Sequence, residues 1–368
     1  MSMPPVDAER ERERETRRRL ASQRVVTIGG GTGPFAMLSA LKRYPCSITA
    51  IVTMSDSGGS SRRLMDEFGQ LPLGDLRQAL VALSRKGRLW REVFGFRFPE
   101  GHSPAAKRLA ASDPNDSLTQ HLAREAGVGG HSLGNLIISA LTDLNDGGLL
   151  QAIEDAQDLL DTAGKVLPVT LERATLCAQL ADGETIYGET EIDTRGLRHP
   201  EPLPPIERIF LRKPAAACDA AIRAIHRADV IVLGPGDLYT SILPNLLVEG
   251  IAEAIRESGA RTVYVCNLMT KHGETDGFRA SDFVREVTAY LGGSLDGVIL
   301  HDGSFPAQLV EHYSAELQYP VEPDIEQVRQ YATEVIVDRL LAVHREDLVR
   351  HDAARVLADI FAPPGPAR

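Results

Sequence analysis

The stretch VVTIGGGTGPF (25–35) decides the fold. Four consecutive β-branched residues favour an extended strand. Four glycines in the next five positions permit a tight turn. Pro34 then suits the first turn of a helix, where a missing N–H loses no partner. Phe35, Leu38 and Leu41 recur at helical spacing behind it. Strand, glycine turn and helix are the expected unit.

The unit repeats along the chain. SITAIVT (47–53) runs into the polar loop MSDSGGSS (54–61), and VIVLGPGD (230–237) is a strand opening into Gly-Pro-Gly. TVYVCN (262–267) and GVIL (297–300) extend the series at helical separations. Alternation of this kind predicts an α/β fold, Rossmann-like, with three α/β/α layers and a mainly parallel sheet. Ligands of such sheets sit beyond the carboxyl ends of the strands, where these loops fall. TLCAQLADGETIYGE (175–189) reads as a β-hairpin about Asp182-Gly183, with an edge strand expected at 208–212. Leu133, Leu136, Ile137, Ala140, Leu141 and Leu144 mark the expected buried face of a helix.

Composition limits the function. The chain has 368 residues, 43% hydrophobic, with 40 Lys+Arg against 51 Asp+Glu and a net charge of -11. Nucleic acid is excluded as the main partner, because phosphate affinity there needs clustered Lys and Arg. Cys46, Cys177, Cys218 and Cys266 form no CxxC pair and read as reduced thiols. No apolar stretch approaches the roughly 20 residues of a membrane helix, and the charged start carries no apolar signal core. A soluble, cytoplasmic protein without a membrane partner is the expectation. Residues 1–23 read as a disordered charged tail, 24–362 as one large domain with insertions around 87–130 and 165–212, and 363–368 as a frayed end.

Four polar loops on successive strand ends carry the candidate site. Gly29, Gly30, Gly31, Thr32 and Gly33 can bring backbone N–H groups against a phosphate at a helix N-terminus. They do not complete the dinucleotide fingerprint, since Pro34 stands at its third glycine, and no Lys-Ser/Thr makes them a P-loop. The plainer reading is a tight turn and nothing more. Asp56 is either a Mg²⁺ or hydroxyl-orienting carboxylate or a turn aspartate, with Ser57, Ser60, Ser61 and Arg63 beside it. Asp75 and Arg77 open a helix, His131 stands at the start of another, and Asn135 lies in the interior of that one. Gly234, Pro235, Gly236, Asp237, Thr240 and Ser241 make a second anion loop, and Asn267, Thr270, Glu274 and Thr275 a long polar loop after a strand. With no GxSxG, HExxH or paired metal spacing, the residues indicate a nucleotide or phospho-ligand binder with the reaction open.

Together IGGGTG (28–33), TAIVTMSDSGGSSRRL (49–64), LPLGDLRQALVAL (71–83), GHSLGNL (130–136), LGPGDLYTSILPNLL (233–247) and VCNLMTKHGETDGFRASD (265–282) resemble the bacterial gluconeogenesis factor family, itself similar to the 2-phospho-L-lactate transferases. VRHD (349–352) resembles the family's C-terminal end. The resemblance implies a nucleotide-binding α/β fold. In the gluconeogenesis factor branch it implies UDP-sugar binding, a link to gluconeogenic carbon, cell-wall precursors and cell shape, a regulatory protein partner and a possible homo-oligomer. In the transferase branch it implies Mg²⁺ and transfer of a phospholactyl group from a guanosine diphosphate donor to a deazaflavin, with Asp56 catalytic. Ser57 replaces the second of the transferases' two aspartates, which weakens a Mg²⁺ site. Arg62 replaces the family's usual glycine and Asp237 its usual serine, the latter leaving a sugar hydroxyl or a metal as its partner.

Overall fold

The computed structural model describes residues 5–55, 71–99, 107–108, 111–112, 128–199, 201–343 and 349–362. Strands β1 (Arg24–Gly29) and β2 (Ser47–Val52) flank helix α1 (Thr32–Leu41), whose Met37, Leu38 and Leu41 are fully buried. After β2 come α2 (Gly74–Leu83), α3 (Arg88–Gly95), α4 (Leu133–Leu144) and α5 (Leu149–Leu160), leading to β3 (Lys165–Pro168). The chain then makes a small antiparallel sheet from β4 (Leu176–Leu180), β5 (Thr185–Tyr187) and β6 (Ile206–Leu211). It returns through α6 (Asp219–His226) to β7 (Val230–Leu233), β8 (Arg261–Val265), β9 (Leu295–His301) and β10 (Ala332–Asp338).

The main sheet has seven strands in the order β10-β9-β8-β7-β1-β2-β3, with every neighbouring pair parallel. Helices cover both sides, so the strands are buried on both faces and read as near-continuous apolar runs. The chain builds outward from β1 to β3, then resumes on the opposite side of β1 with β7. The gap between the ends of β1 and β7 is therefore the topological switch point, where ligands of open α/β sheets bind.

Three expectations differ from the structure. Residues Pro5–Leu20, expected as part of a disordered tail, form a helix. Its Arg12 donates to Asp338 (2.9 Å) and Asp359, and Leu20 is fully buried. The run looked unable to bury a face because its docking comes from ion pairs with residues over 300 positions away. The insertion expected from 165 begins after Pro168, because Lys165–Pro168 pairs with β2 in the main sheet. In α4 the buried residues are Gly134, Asn135, Ile138, Ser139 and Thr142, while Leu144 is 79% exposed. Small size decides that face: a Cβ on Gly134 would lie 2.6 Å from the Phe94 carbonyl oxygen of α3. The hairpin and the edge strand, by contrast, lie where the alternation puts them, with Gly183 of the turn at φ 89°.

The Asp359 side chain is 4% exposed, and burial pushes its carboxyl up to about 6 despite Arg12. Arg12→Ala should therefore lower unfolding free energy at pH 7 by about 1–2 kcal/mol, Arg12 itself being half in solvent. Adding Asp359→Asn should recover most of that loss, as urea denaturation would show. An unchanged Arg12→Ala midpoint would contradict this docking.

Candidate functional site

At the end of β1, Gly31 takes φ 72° and precedes the first helical residue, Thr32. At the end of β7, Gly234 takes φ 79°, and the chain enters a π-helical turn, Leu238–Ile242, in which Ile242 N–H donates to the Asp237 carbonyl. The two turns abut. A Cβ on Gly33 would lie 2.7 Å from the carbonyl carbon of Pro235, and one on Gly236 would lie 3.3 Å from the Gly30 carbonyl oxygen. At Gly33 backbone packs on backbone, which only glycine allows, and at Gly236 the approach is tight.

Side chains brace the turns. Gly31 N–H donates to Asp75 Oδ1 at 2.9 Å, so the start of α2 holds the first glycine turn by a charge-assisted bond. Asn267 Nδ2 donates to the Gly236 carbonyl at 2.9 Å, tying the loop after β8 to the second turn. A cleft of about 180 Å³ opens alongside. Its walls include Thr32, Gly33, Pro235, Gly236, Asp237, Asn267, Thr270, Glu274 and Thr275 from the sequence reading. Gly29, Gly30, Gly31, Gly234, Thr240 and Ser241 belong to the turns behind this wall. Thr240 is buried with its hydroxyl unbonded, and Ser241 Oγ faces Gly31.

Other expected residues stand elsewhere. Arg77 Nε donates to Asn135 Oδ1 at 3.0 Å, joining α2 to α4, and His131 is buried beside this pair in sequence. None of these three lines the cleft. Thr270 and Thr275 each turn a lone pair to backbone and keep the O–H to donate: Thr270 Oγ1 accepts from Tyr319 N–H and Thr275 Oγ1 from Lys271 N–H, each at 2.9 Å. Asp56, Ser57, Ser60, Ser61 and Arg63 lie outside the described residues.

Sequence reasoning missed Lys271, Asp193, Arg350 and His351. Lys271 extends into the cleft wall and its ammonium meets Asp193, Asp237 (2.9 Å) and Glu274 (2.7 Å). Asp237 therefore has a lysine partner, a third possibility beside the sugar and metal. Asp193 ends the short helix Glu189–Asp193 of the insertion, far from any strand-end motif. Three carboxylates hold Lys271 strongly protonated, above its ordinary value, although burial opposes the charge. Burial is the main cause that pushes Glu274 up to about 8; Asp237 and Asp193 act in the same direction and Lys271 against them. Arg350 and His351 also line the cleft, from the strand Val349–His351, and His351 Nε2 donates to the Cys266 carbonyl.

A switch-point cleft between two glycine turns defines a Rossmann-like protein whose site faces the strand ends. Residues 25–341 match the family model described as 2-phospho-L-lactate transferase CofD, and the chain belongs to that family. It is 38% identical to a gluconeogenesis factor of Halalkalibacterium halodurans over 339 residues, covering 92% of this chain and 95% of the relative. To the gluconeogenesis factor of Bacillus subtilis it is 37% identical, over 90% and 95% of the two chains. A crystal structure of a Bacillus halodurans protein superposes with a TM-score of 0.80 at 37% identity, over 93% of this chain and all of that one. No helix of the described residues is long and apolar enough to cross a membrane.

Two results follow. Gly33→Ala forces the two turns apart and should cost about 1–3 kcal/mol of stability, as for other overpacked sites, measured by chemical denaturation; an unaffected protein would contradict the abutment. The second concerns pH. Glu274 binds its proton more tightly folded than unfolded, so its contribution to stability falls as pH rises from about 4.5 through about 8. Thermal melts of Glu274→Gln between pH 5 and 9 should show a flatter decline than the wild type, and an equally steep decline would contradict the assignment.

Proposed function

We propose that the chain is a cytoplasmic nucleotide-sugar-binding regulatory protein of the gluconeogenesis factor kind, acting between carbon metabolism, cell-wall precursor supply and cell shape. The observation that carries the reading is the meeting of two glycine turns at the switch point. Backbone N–H groups at the start of α1, apart from that of Gly31, which Asp75 takes, support an anion site that does not depend on basic side chains. Residues 1–24 hold seven Arg against five carboxylates, so the remaining residues carry -13, and their net charge does not attract an anion. The diphosphate would lie on Gly29–Gly33 and Gly234–Gly236, with the sugar towards Asn267 and Thr270. Binding would bias contact with a protein partner. The names of the relatives from Halalkalibacterium halodurans and Bacillus subtilis support this branch.

The name of the family model favours a second reading, a Mg²⁺-dependent transferase using a guanosine diphosphate donor. Its expected metal carboxylate, Asp56, lies outside the described residues. Among the described residues the trio Asp193, Asp237 and Glu274 already surrounds an ammonium, which does not fit a resident Mg²⁺. No step through the metal is derived.

A thermal-shift panel with UDP-N-acetylglucosamine, GDP, GDP plus Mg²⁺, and NAD separates the readings. A ligand at 100 times its dissociation constant stabilises by about 2.7 kcal/mol. The UDP-sugar is expected to raise the melting temperature, and no shift with any nucleotide would overturn the binding reading. Mg²⁺-dependent turnover lost in Asp56→Asn would move the assignment to the transferase.

A further inference from the structure

Three carboxylates from separate parts of the chain meet on one wall of the cleft. Asp193 comes from the insertion, Asp237 from the turn after β7 and Glu274 from the loop after β8, with one ligand oxygen of each within 4.8 Å of the others. Hard oxygen donors in such a group match the preference of Mg²⁺ and Mn²⁺. An acidic cluster by itself says little, since many are only solvated surface. Here a second observation points to a cation. The Glu274 side chain is 1% exposed; its Oε1 meets the Lys271 ammonium at 2.7 Å, while its Oε2 has no hydrogen-bond partner, so a buried carboxylate keeps one oxygen open. Leaving a buried acceptor unsatisfied costs about 1–3 kcal/mol, more for a charged group. A cation beside it offsets that cost, and one is present: the Lys271 ammonium touches all three carboxylates, placed by the turn immediately before Glu274.

We propose that Lys271 is a tethered cation occupying a divalent-metal site built by Asp193, Asp237 and Glu274. The cleft then holds a cation covalently on this wall, where it offsets the three carboxylates, and needs no metal there when it takes its ligand. That last consequence rests on the nucleotide reading, whereas the occupied site does not. Lys271 and Asp237 are directly paired, the lysine giving the carboxylate a partner at 2.9 Å. Removing the ammonium leaves three carboxylates facing one another. They must then take up protons or bind an ion of charge +2.

The test uses the full chain with Lys271→Met and Mn²⁺ as the probe, read by electron paramagnetic resonance without nucleotide. Mn²⁺ should bind Lys271→Met at least tenfold more tightly than wild type, and Lys271→Met/Glu274→Gln should lose the gain. Lys271→Gln serves as a second lysine variant, and melts with and without Mn²⁺ cover the case in which carboxylate repulsion unfolds them. Recovery of the melt by Mn²⁺ supports the site. Lysine variants that bind Mn²⁺ no better than wild type and gain no stability from it would overturn the proposal. A gain surviving Glu274→Gln would overturn it too, as would wild-type binding that Glu274→Gln removes, since the metal would then sit beside the lysine. With no nucleotide present, failure here is distinct from failure of the nucleotide reading.

Discussion

The contact of Gly33 against the Pro235 carbonyl group is the constraint from which the rest of the site follows. Two strands that neighbour in space but lie some 200 residues apart in sequence end side by side, and their turns share one volume. Any side chain at Gly33 would hold the turns apart and widen the gap between β1 and β7. With glycine in place, the start of α1 and the turn after β7 form a single wall. Asp75 and Asn267 then fix each turn by one hydrogen bond, from elements that follow β2 and β8. Three strand ends, those of β1, β7 and β8, thus line one cleft, Asp75 braces it from beyond β2, and the sheet order, which places these strands side by side, explains why.

Electrostatics complement that geometry. The chain is acidic, and the described cleft lining holds two basic side chains, Lys271 and Arg350. Lys271 is committed to three carboxylates. Arg350, brought by the strand Val349–His351, is the remaining basic group at the wall. An anion here therefore depends on backbone dipoles and helix ends more than on side-chain charge, which favours diphosphates bound at short range.

Much of the fold was legible in the sequence because its signals are local. The β-branched run 25–28 and the glycines after it specify strand and turn without reference to anything distant. The Asp182-Gly183 hairpin does the same. What escaped is non-local. Pro5–Leu20 is a helix held by Arg12 against Asp338 and Asp359, pairs no window of sequence contains. In α4 leucine spacing pointed to one face, while Gly134 and Asn135 face inward because α3 and Arg77 approach there. The site divides similarly. The glycine turns could be read directly, but Asp193 sits in a small helix with no motif, and nothing local to Lys271 reveals the carboxylates it meets. The nearest available signal was Asp237, a carboxylate in an anion loop, which implied a nearby cation without naming it.

The most direct measurement of the central claim is a crystal structure of the full chain with UDP-N-acetylglucosamine. The diphosphate is expected between Gly29–Gly33 and Gly234–Gly236, within hydrogen-bonding distance of backbone N–H groups at the start of α1. A diphosphate bound away from both turns, with the Gly33–Pro235 contact intact and the cleft empty, would contradict the account.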